Sequence, residues 1–561
     1  MPQPGQILIL VQKMVKLPPS KALSLFYSTL EGVQHNQQSL SFVIHHLLDS
    51  KMLHHAQSLI LQVLSGRISS PDFTPSSLLH YLTQAHLNLD STHVHLHEAI
   101  INAHILSQLP GQALFYFSMM IDKSLVPGSN TFNNLLGFLI KCNCFEKAWA
   151  VFSDTKGKVE MDEYSFGIMV KGCCETGDLS KGFGLLVQME KMGLSPNVVI
   201  CTTLIDGCCK NGDIERAKKL FRELGELGLV ANQHTYTALM YGLFKQGLKK
   251  DGFELHEEMK LNGVLPNLYT YNCLINEYCK DGRTSRAFEL LDEMRERGVV
   301  CNVVTYNTLI GGLCREMKVW EAEKQVDQMK RVGISPNLIT YNTLIDGFCN
   351  VGKLEKASNL FDQLKSTGQC PTLVTYNVLI AGFGRAGNSV RVADLVREME
   401  ERGIYPSKVT YTILIDAFVR LDDMEKAFHI YSSMEKAGLV PDVYTFGVLI
   451  HGLCMKGKMK EASKLFQSMS EINLKPNDVI YNMMILGYSK EGSSYRALRL
   501  LEEMVQSGLV PKVATYSSTI GVLCKDGKWT EAEALLKAMI DSGLKPSISV
   551  YNMISIAKNA I

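Results

Sequence analysis

The sequence predicts an all-α protein, an α-solenoid of tandem 35-residue helix-turn-helix repeats. Three observations carry this. An aromatic column, Tyr236, Tyr271, Tyr306, Tyr341, Tyr376, Tyr411, Phe446, Tyr481, Tyr516 and Tyr551, steps by 35 throughout. Prolines from Pro336 to Pro546 and glycines from Gly193 to Gly438 keep the same step. Within each period, apolar residues recur twice over at i, i+3, i+4, i+7, the mark of two amphipathic helices. Such self-similarity means a repeat array, which displaces the three to five globular domains that 561 residues would suggest.

One period, Leu268 to Asn302, shows the physics of each element. Tyr271, Leu274, Ile275 and Tyr278 line one face of a first helix, and Asp281-Gly282 breaks it. Ala287, Leu290, Leu291 and Met294 line a second helix, which Gly298 ends. Ala287 has counterparts at Ala217, Ala322, Ala357, Ala427, Ala462, Ala497 and Ala532, small enough for paired helices to approach closely. A lone hairpin cannot bury both apolar stripes, whereas a stack shares one continuous core.

Along the chain, residues 1–36 carry Lys13, Lys16 and Lys21 and no acid before Glu31. They read as an organellar targeting segment with an irregular N-terminus, or as a frayed end of chance composition. Residues 37–93 form a degenerate repeat region. Gln37 to about Ser70 is a worn unit with Ala56 in the small-residue column, and Pro71 to Ser91 fits poorly. Residues 94–547 hold about thirteen repeats, starting at Val94, Ser129, Glu163, Val198, Gln233, Leu268, Val303, Leu338, Leu373, Lys408, Val443, Asp478 and Val513. Residues 548–561 are a half repeat.

Composition narrows the function classes. A hydrophobic content of 46% excludes a disordered chain. The 57 basic and 56 acidic residues leave a net charge of +1, so any polyanion site is a local stripe. No apolar run is long enough to cross a bilayer, so no membrane partner is expected. Seven of the 15 cysteines fall in one column (Cys174, Cys209, Cys279, Cys314, Cys349, Cys454, Cys524) and read as reduced, small hydrophobes.

The first helices read VTYNTLIGGLC from Val304 and ITYNTLIDGFC from Ile339. This opening, the 35-residue period and the closing G-[IL]-x-P-[ND] resemble the pentatricopeptide repeat family from Val94 to the C-terminus. The early tryptophan of the tetratricopeptide pattern is missing. Units of uniform length resemble the P subclass of plant organellar type. The resemblance implies a right-handed solenoid that reads single-stranded RNA, one base per repeat.

Two polar columns suit that task, because base discrimination needs donors and acceptors. The fifth residues of successive units from Ser129 are Asn133, Gly167, Thr202, Thr237, Asn272, Asn307, Asn342, Asn377, Thr412, Gly447, Asn482 and Ser517. The last residues are Asp162, Asn197, Asn232, Asn267, Asn302, Asn337, Thr372, Ser407, Asp442, Asn477, Lys512 and Ser547. Helix capping is the competing explanation of such residues near a helix start. The resemblance assigns Asn133/Asp162 to U, Thr202/Asn232 and Thr237/Asn267 to A, and Thr412/Asp442 to G. It assigns Asn272/Asn302, Asn307/Asn337 and Asn342/Thr372 to pyrimidines and Asn377/Ser407 to C. Gly167 and Gly447 leave their bases undefined, and Asn482 and Ser517 read weakly. The expected site is U-n-A-A-Y-Y-Y-C-G-n-Y-n.

By the same resemblance the second residues, Val199, Tyr269, Val304, Ile339, Val374, Val409, Tyr444 and Val479, clamp each base from both faces; packing between repeats is the other reading. Lys210, Lys245, Lys280, Arg315, Arg385, Arg420, Lys490 and Lys525 place one cation per repeat on one face. They suit a phosphate backbone, or the first helix's C-terminal dipole.

No catalytic signal appears. Gly347-x4-Gly352-Lys353 and Gly452-x4-Gly457-Lys458 mimic a phosphate loop but lack the Ser or Thr that would hold magnesium. The eleven histidines before residue 105 read as partly exposed residues of poorly conforming helices, and the zinc-deaminase signature is absent. The expectation is therefore an RNA-binding protein that is not an enzyme and takes no cofactor, metal or small-molecule substrate. Its setting would be organellar RNA metabolism (intron splicing, transcript processing or stabilisation), with other RNA-processing proteins as further partners. The expected location is the mitochondrion, with the chloroplast as alternative. The competing function is a protein-binding helical scaffold.

Overall fold

The computed structural model describes residues 12–14, 16–29, 37–68, 74–84 and 90–559. These residues are helical apart from turns and one isolated bridge between Lys156 and Val159. The chain forms two compact units, Met1–Cys273 and Leu274–Ile561. Each is a stack of helix pairs. From Ser129 onward every first helix starts on its expected residue: Ser129, Glu163, Val198, Gln233, Leu268, Val303, Leu338, Leu373, Lys408, Val443, Asp478, Val513 and Ile548. The unit expected at Val94 departs from this, since its first helix is Asp90–Leu106.

The helix pair Val303–Arg315 and Val319–Arg331 is representative. Tyr306, Leu309, Ile310 and Leu313 are buried on the first helix, and Ala322, Val326 and Met329 on the second. All eight alanines of the small-residue column have no exposed surface. The turns depend on left-handed backbone. Gly333 closes a second helix with φ 79°, while Met317 occupies the corresponding first-helix turn with φ 62°.

Within each unit, adjacent first helices pack along each other, and a second helix packs on its own first helix and the next one. The close approach of first helices requires glycine. A Cβ on Gly347 would lie 2.5 Å from Cys314 Sγ, and one on Gly382 would lie 2.4 Å from Cys349 Sγ. In the first unit Gly207 meets Cys174 and Gly242 meets Cys209 in the same way. These thiols are free, and burial pushes Cys174, Cys209, Cys314 and Cys349 up to about 12. The glycines of the two phosphate-loop look-alikes belong to this packing and to the turns: Gly347 and Gly452 lie inside first helices, while Gly352 and Gly457 have positive φ.

The aromatic column ties layers together. Tyr376 meets Phe361 of the preceding second helix edge-to-face at 5.6 Å, and its hydroxyl donates to Glu398 at 3.3 Å. Tyr481 repeats this with Phe466 at 5.3 Å and Glu503 at 3.0 Å.

The N-terminal region departs from expectation in one respect. His45, His97 and His104 are buried, not partly exposed. His104 Nδ1 bonds the Ile100 carbonyl at 2.8 Å. Burial holds the His104 imidazole below its ordinary pKa. Gln37–Asp49 and Leu53–Leu64 form a helix pair with Ala56 fully buried. Of the region read as a targeting segment, residues 1–11, 15 and 30–36 lie outside the described residues; Pro19–Thr29 is a helix. No helix among the described residues is long and apolar enough to cross a membrane.

Candidate nucleic-acid interface

The last residue of each unit is the N-cap of the next first helix. Asn337 has extended backbone (φ −108°, ψ 178°), and its Oδ1 accepts the Thr340 N–H at 3.0 Å. The Thr340 hydroxyl in turn accepts the Asn337 N–H at 3.1 Å, which completes a capping box. Asn232, Asn302 and Ser407 form the same box, and Asn267 and Asp442 accept from Thr270 and Thr445. Capping therefore explains the last-residue column in part. It does not explain the fifth-residue column, which lies inside the helix.

The two columns meet at each repeat junction. Asn307 Nδ2 donates to Asn337 Oδ1 at 3.2 Å, and Asn133 Nδ2 donates to Asp162 at 3.2 Å. Burial pushes the Asp162 carboxyl up, but bonds from the Ser165 backbone, the Ser165 hydroxyl and Asn133 outweigh it and hold its pKa low. Thr237 donates to the Gln233 carbonyl at 2.7 Å, and Thr412 to the Lys408 carbonyl at 3.0 Å. Some polar atoms stay unsatisfied. Asn342 Oδ1, Asn377 Oδ1 and Asn482 Nδ2 are buried without a hydrogen-bond partner.

The second residues are exposed, from 41% at Val479 to 77% at Tyr444, so packing between repeats does not account for them. Spaced one per repeat, these apolar side chains line a surface that water alone would not favour.

A groove of about 1260 Å³ in the first unit collects the columns: Asn133, Asn197, Tyr164, Val199 and Lys141 line it together. In the second unit a groove of about 820 Å³ is lined by Ser517, Lys490 and Lys525. The other cations of the stripe have protein partners. Lys210 pairs with Asp206 at 2.6 Å, Lys280 with Glu277 at 3.2 Å and Arg420 with Asp416 at 2.7 Å. Lys245 and Arg315 donate to the carbonyls of Lys210 and Cys279, each at the end of the preceding first helix. Arg385 donates to Asn350 at 2.7 Å. Much of the stripe thus serves helix C-termini, as the dipole reading expects.

The family model of the PPR repeat matches residues 127–175, 196–245, 232–277, 269–315, 302–350, 336–385, 371–420, 414–455 and 476–525. A second PPR repeat model matches 164–194, 444–474 and 514–544. The chain belongs to the pentatricopeptide repeat family. An Arabidopsis thaliana pentatricopeptide repeat-containing protein is 59% identical over 197 residues, 35% of this chain and 34% of that protein. Another from Arabidopsis thaliana, whose name includes "mitochondrial", is 33% identical over 81 residues, 14% of this chain and 20% of its own length. The chain thus spans about a third or less of these relatives. Among solved structures, the maize pentatricopeptide repeat protein PPR10 is similar at 20% identity with a TM-score of 0.48, covering 99% of this chain and 95% of that one. The maize protein in complex with an 18-nt psaJ RNA element has 19% identity and a TM-score of 0.45, covering 98% and 96%.

In the register of pentatricopeptide repeats, three groups escaped the sequence reading. Tyr164 is a second residue, 69% exposed, and Lys141 occupies the cation column two units before Lys210, with Glu175 at that position in between. Counting every column back to Ser129 would have found both. The third residues (Ser165, Thr235, Thr270, Thr340, Thr445, Thr515) touch both polar columns, and their 35-residue period was the available signal.

Proposed function

We propose that this chain binds single-stranded RNA along the first-helix face of its repeats, one base per repeat. Residues 94–547 are the reading array, 37–93 a degenerate start, 548–561 a closing half repeat and 1–36 an organellar targeting segment. The single observation behind this reading is the proton inventory at the junctions. Capping consumes Oδ1 of last residues such as Asn232, Asn337 and Asp442. An asparagine there keeps Nδ2, a donor, as at Asn232 and Asn337; Asp442 keeps Oδ2, an acceptor. Thr237 Oγ1 lies 2.7 Å from both the Gln233 carbonyl and Thr270 Oγ1, and Thr412 Oγ1 lies 3.0 Å from the Lys408 carbonyl and 2.8 Å from Thr445 Oγ1; these contacts hold the one hydroxyl proton within the protein, so each threonine faces the groove as an acceptor.

These sets complement base edges. An acceptor with a donor, Thr237/Asn267, fits adenine's amino group and N1; Thr202/Asn232 is the same residue pair. Two acceptors, Thr412/Asp442, fit guanine's N1–H and amino group. Two donors, Asn307/Asn337, fit the O2 and N3 of cytosine. The remaining pairs Asn133/Asp162, Asn272/Asn302, Asn342/Thr372 and Asn377/Ser407 extend the site to U-n-A-A-Y-Y-Y-C-G-n-Y-n. Val199, Tyr269, Val304, Ile339, Val374, Val409, Tyr444 and Val479 stack on the bases, worth about 1–3 kcal/mol per base where aromatic. Lys490 and Lys525 meet phosphates directly; Lys210, Lys245, Lys280, Arg315, Arg385 and Arg420 do so by exchanging their present partners.

The role is occupancy of a transcript in splicing, processing or stabilisation, beside other RNA-processing proteins. Relatives named mitochondrial favour the mitochondrion over the chloroplast. The test is binding to 5′-UUAACCCCGUCU-3′. Changing the A-A step to C-C weakens binding by about tenfold or more; unchanged affinity refutes the reading.

A further inference from the structure

The two polar columns do not act alone. We infer that the third residue, where its hydroxyl bonds the fifth-residue asparagine of the repeat before it, is a positioning residue that sets how that asparagine meets its base; Thr375 and Thr410 make no such bond to Asn342 and Asn377. This rests on the RNA reading above and deepens it.

Thr340 Oγ1 lies 2.6 Å from Asn307 Oδ1 and 3.1 Å from Asn337 Oδ1. A hydroxyl has one proton, and the shorter contact takes it. That bond pins Oδ1 of Asn307 and turns its Nδ2 toward the last residue and the groove. Ser165 does the same to Asn133 at 2.6 Å; Thr515 pins Asn482 Oδ1 at 2.6 Å, with Asn482 Nδ2 left buried and unpartnered. An asparagine amide is otherwise free to turn over and exchange its donor and acceptor ends. The third-residue hydroxyl is what makes the fifth residue a donor.

The chain also contains the opposite arrangement. At Gly167 and Gly447, where the fifth residue has no side chain, the third residue of the next repeat is Ile200 and Ile480. A Cβ on Gly167 would sit 3.5 Å from Ile200 Cγ1, and one on Gly447 would sit 3.6 Å from Ile480 Cγ1. The isoleucine occupies the space a polar side chain would use. Fifth and third residues therefore change together: polar with Thr or Ser, glycine with isoleucine. Ser517, followed by Val550, is a mixed pair that lacks the locking hydroxyl. The two glycine–isoleucine junctions present an apolar floor with no donor or acceptor from either position. With only the amide of the last residue, Asn197 or Asn477, left to meet the base, they discriminate weakly and act as spacers that keep the flanking readers in register.

The test uses the full chain and the RNA 5′-UUAACCCCGUCU-3′. Its sixth base faces Asn307 and Asn337, its ninth faces Thr412 and Asp442, and its tenth faces Gly447. In the unmodified protein, changing the sixth base from C to A or G costs roughly tenfold or more in affinity. Changing the tenth base to any other costs less than about twofold. Thr340→Val lets the Asn307 amide turn and present Oδ1, an acceptor beside the donor of Asn337. A at the sixth base is then tolerated within about threefold, while G there and changes at the ninth base are still penalised. Gly447→Asn combined with Ile480→Thr installs a pyrimidine preference at the tenth base, a gain that a merely weakened fold cannot produce. The inference is overturned if Thr340→Val weakens all RNAs equally while its preference for C over A persists. It is also overturned if the tenth base matters as much as the ninth in the unmodified protein. Loss of discrimination at every base in the unmodified protein would instead remove the RNA reading itself, and this inference with it.

Discussion

The first-helix and second-helix layers use similar lengths of chain and are held by different contacts. First helices meet at glycine, with a neighbouring cysteine where the next Cβ would be. Second helices rest on first helices through alanine and large apolar side chains, and reach one another through charged tips. Lys218 meets Asp251 at 2.6 Å and Lys356 meets Glu323 at 3.2 Å. The difference teaches where a reader of regularly spaced bases can be built. A contact between backbone and a short side chain fixes repeat spacing to tenths of an ångström, whereas flexible ion pairs do not. The polar columns lie on the layer whose spacing is fixed.

The comparison can be broken most directly at Gly347. Gly347→Val drives a branched side chain into Cys314 and costs about 1–3 kcal/mol or more, read by urea unfolding. Cys314→Ala on that background restores part of the loss. An unchanged midpoint would show that the first layer is no tighter than the second.

Alkaline pH loads the same layer. Burial in the fold pushes the thiols of Cys174, Cys209, Cys314 and Cys349 up from their ordinary 9.0 to about 12. Raised pKa values favour the neutral folded form. Their contribution is complete below about pH 9 and is lost as pH climbs toward 12. Thermal melts from pH 8 to 11 should fall steadily, less so in a variant with these four changed to alanine. At pH 8 the thiols should resist a thiol reagent until the chain unfolds.

Smaller effects sharpen the comparison. Asn337→Ala removes a cap and costs about 1 kcal/mol in unfolding experiments. Met317→Gly relieves a left-handed backbone and stabilises by roughly 0.5–1 kcal/mol in the same measurement. Smallest is Lys218→Ala in the second layer. Its partner Asp251 is partly exposed, so the loss is about 0.5 kcal/mol or less, and added salt narrows it further.

Much of the fold was legible because each helix repeats the same local signals. The aromatic column, the small alanine and the closing glycine mark most units, with Cys201, Val392 and Asn473 among the exceptions, and from Ser129 onward first helices begin where the period puts them. Legibility failed where local signals thin out. His97 and His104 sit on one helix, Asp90–Leu106, with no clean apolar stripe, so no periodic signal marks their burial. It also failed at Lys210 and Arg420, whose acidic partners lie one turn earlier on the same helix; net column charge hid the pairing.

The period, the first-helix starts from Ser129 onward and the positions of the two polar columns follow from sequence alone, because spacing within a helix is a local property of the chain. Which atom of each polar side chain remains for a ligand was decided by tertiary structure. Thr340 and Asn307 are 33 positions apart and meet only once two repeats have stacked. A single hydroxyl proton placed across that junction determines whether an asparagine shows its donor or its acceptor, and no spacing rule in one dimension carries that information.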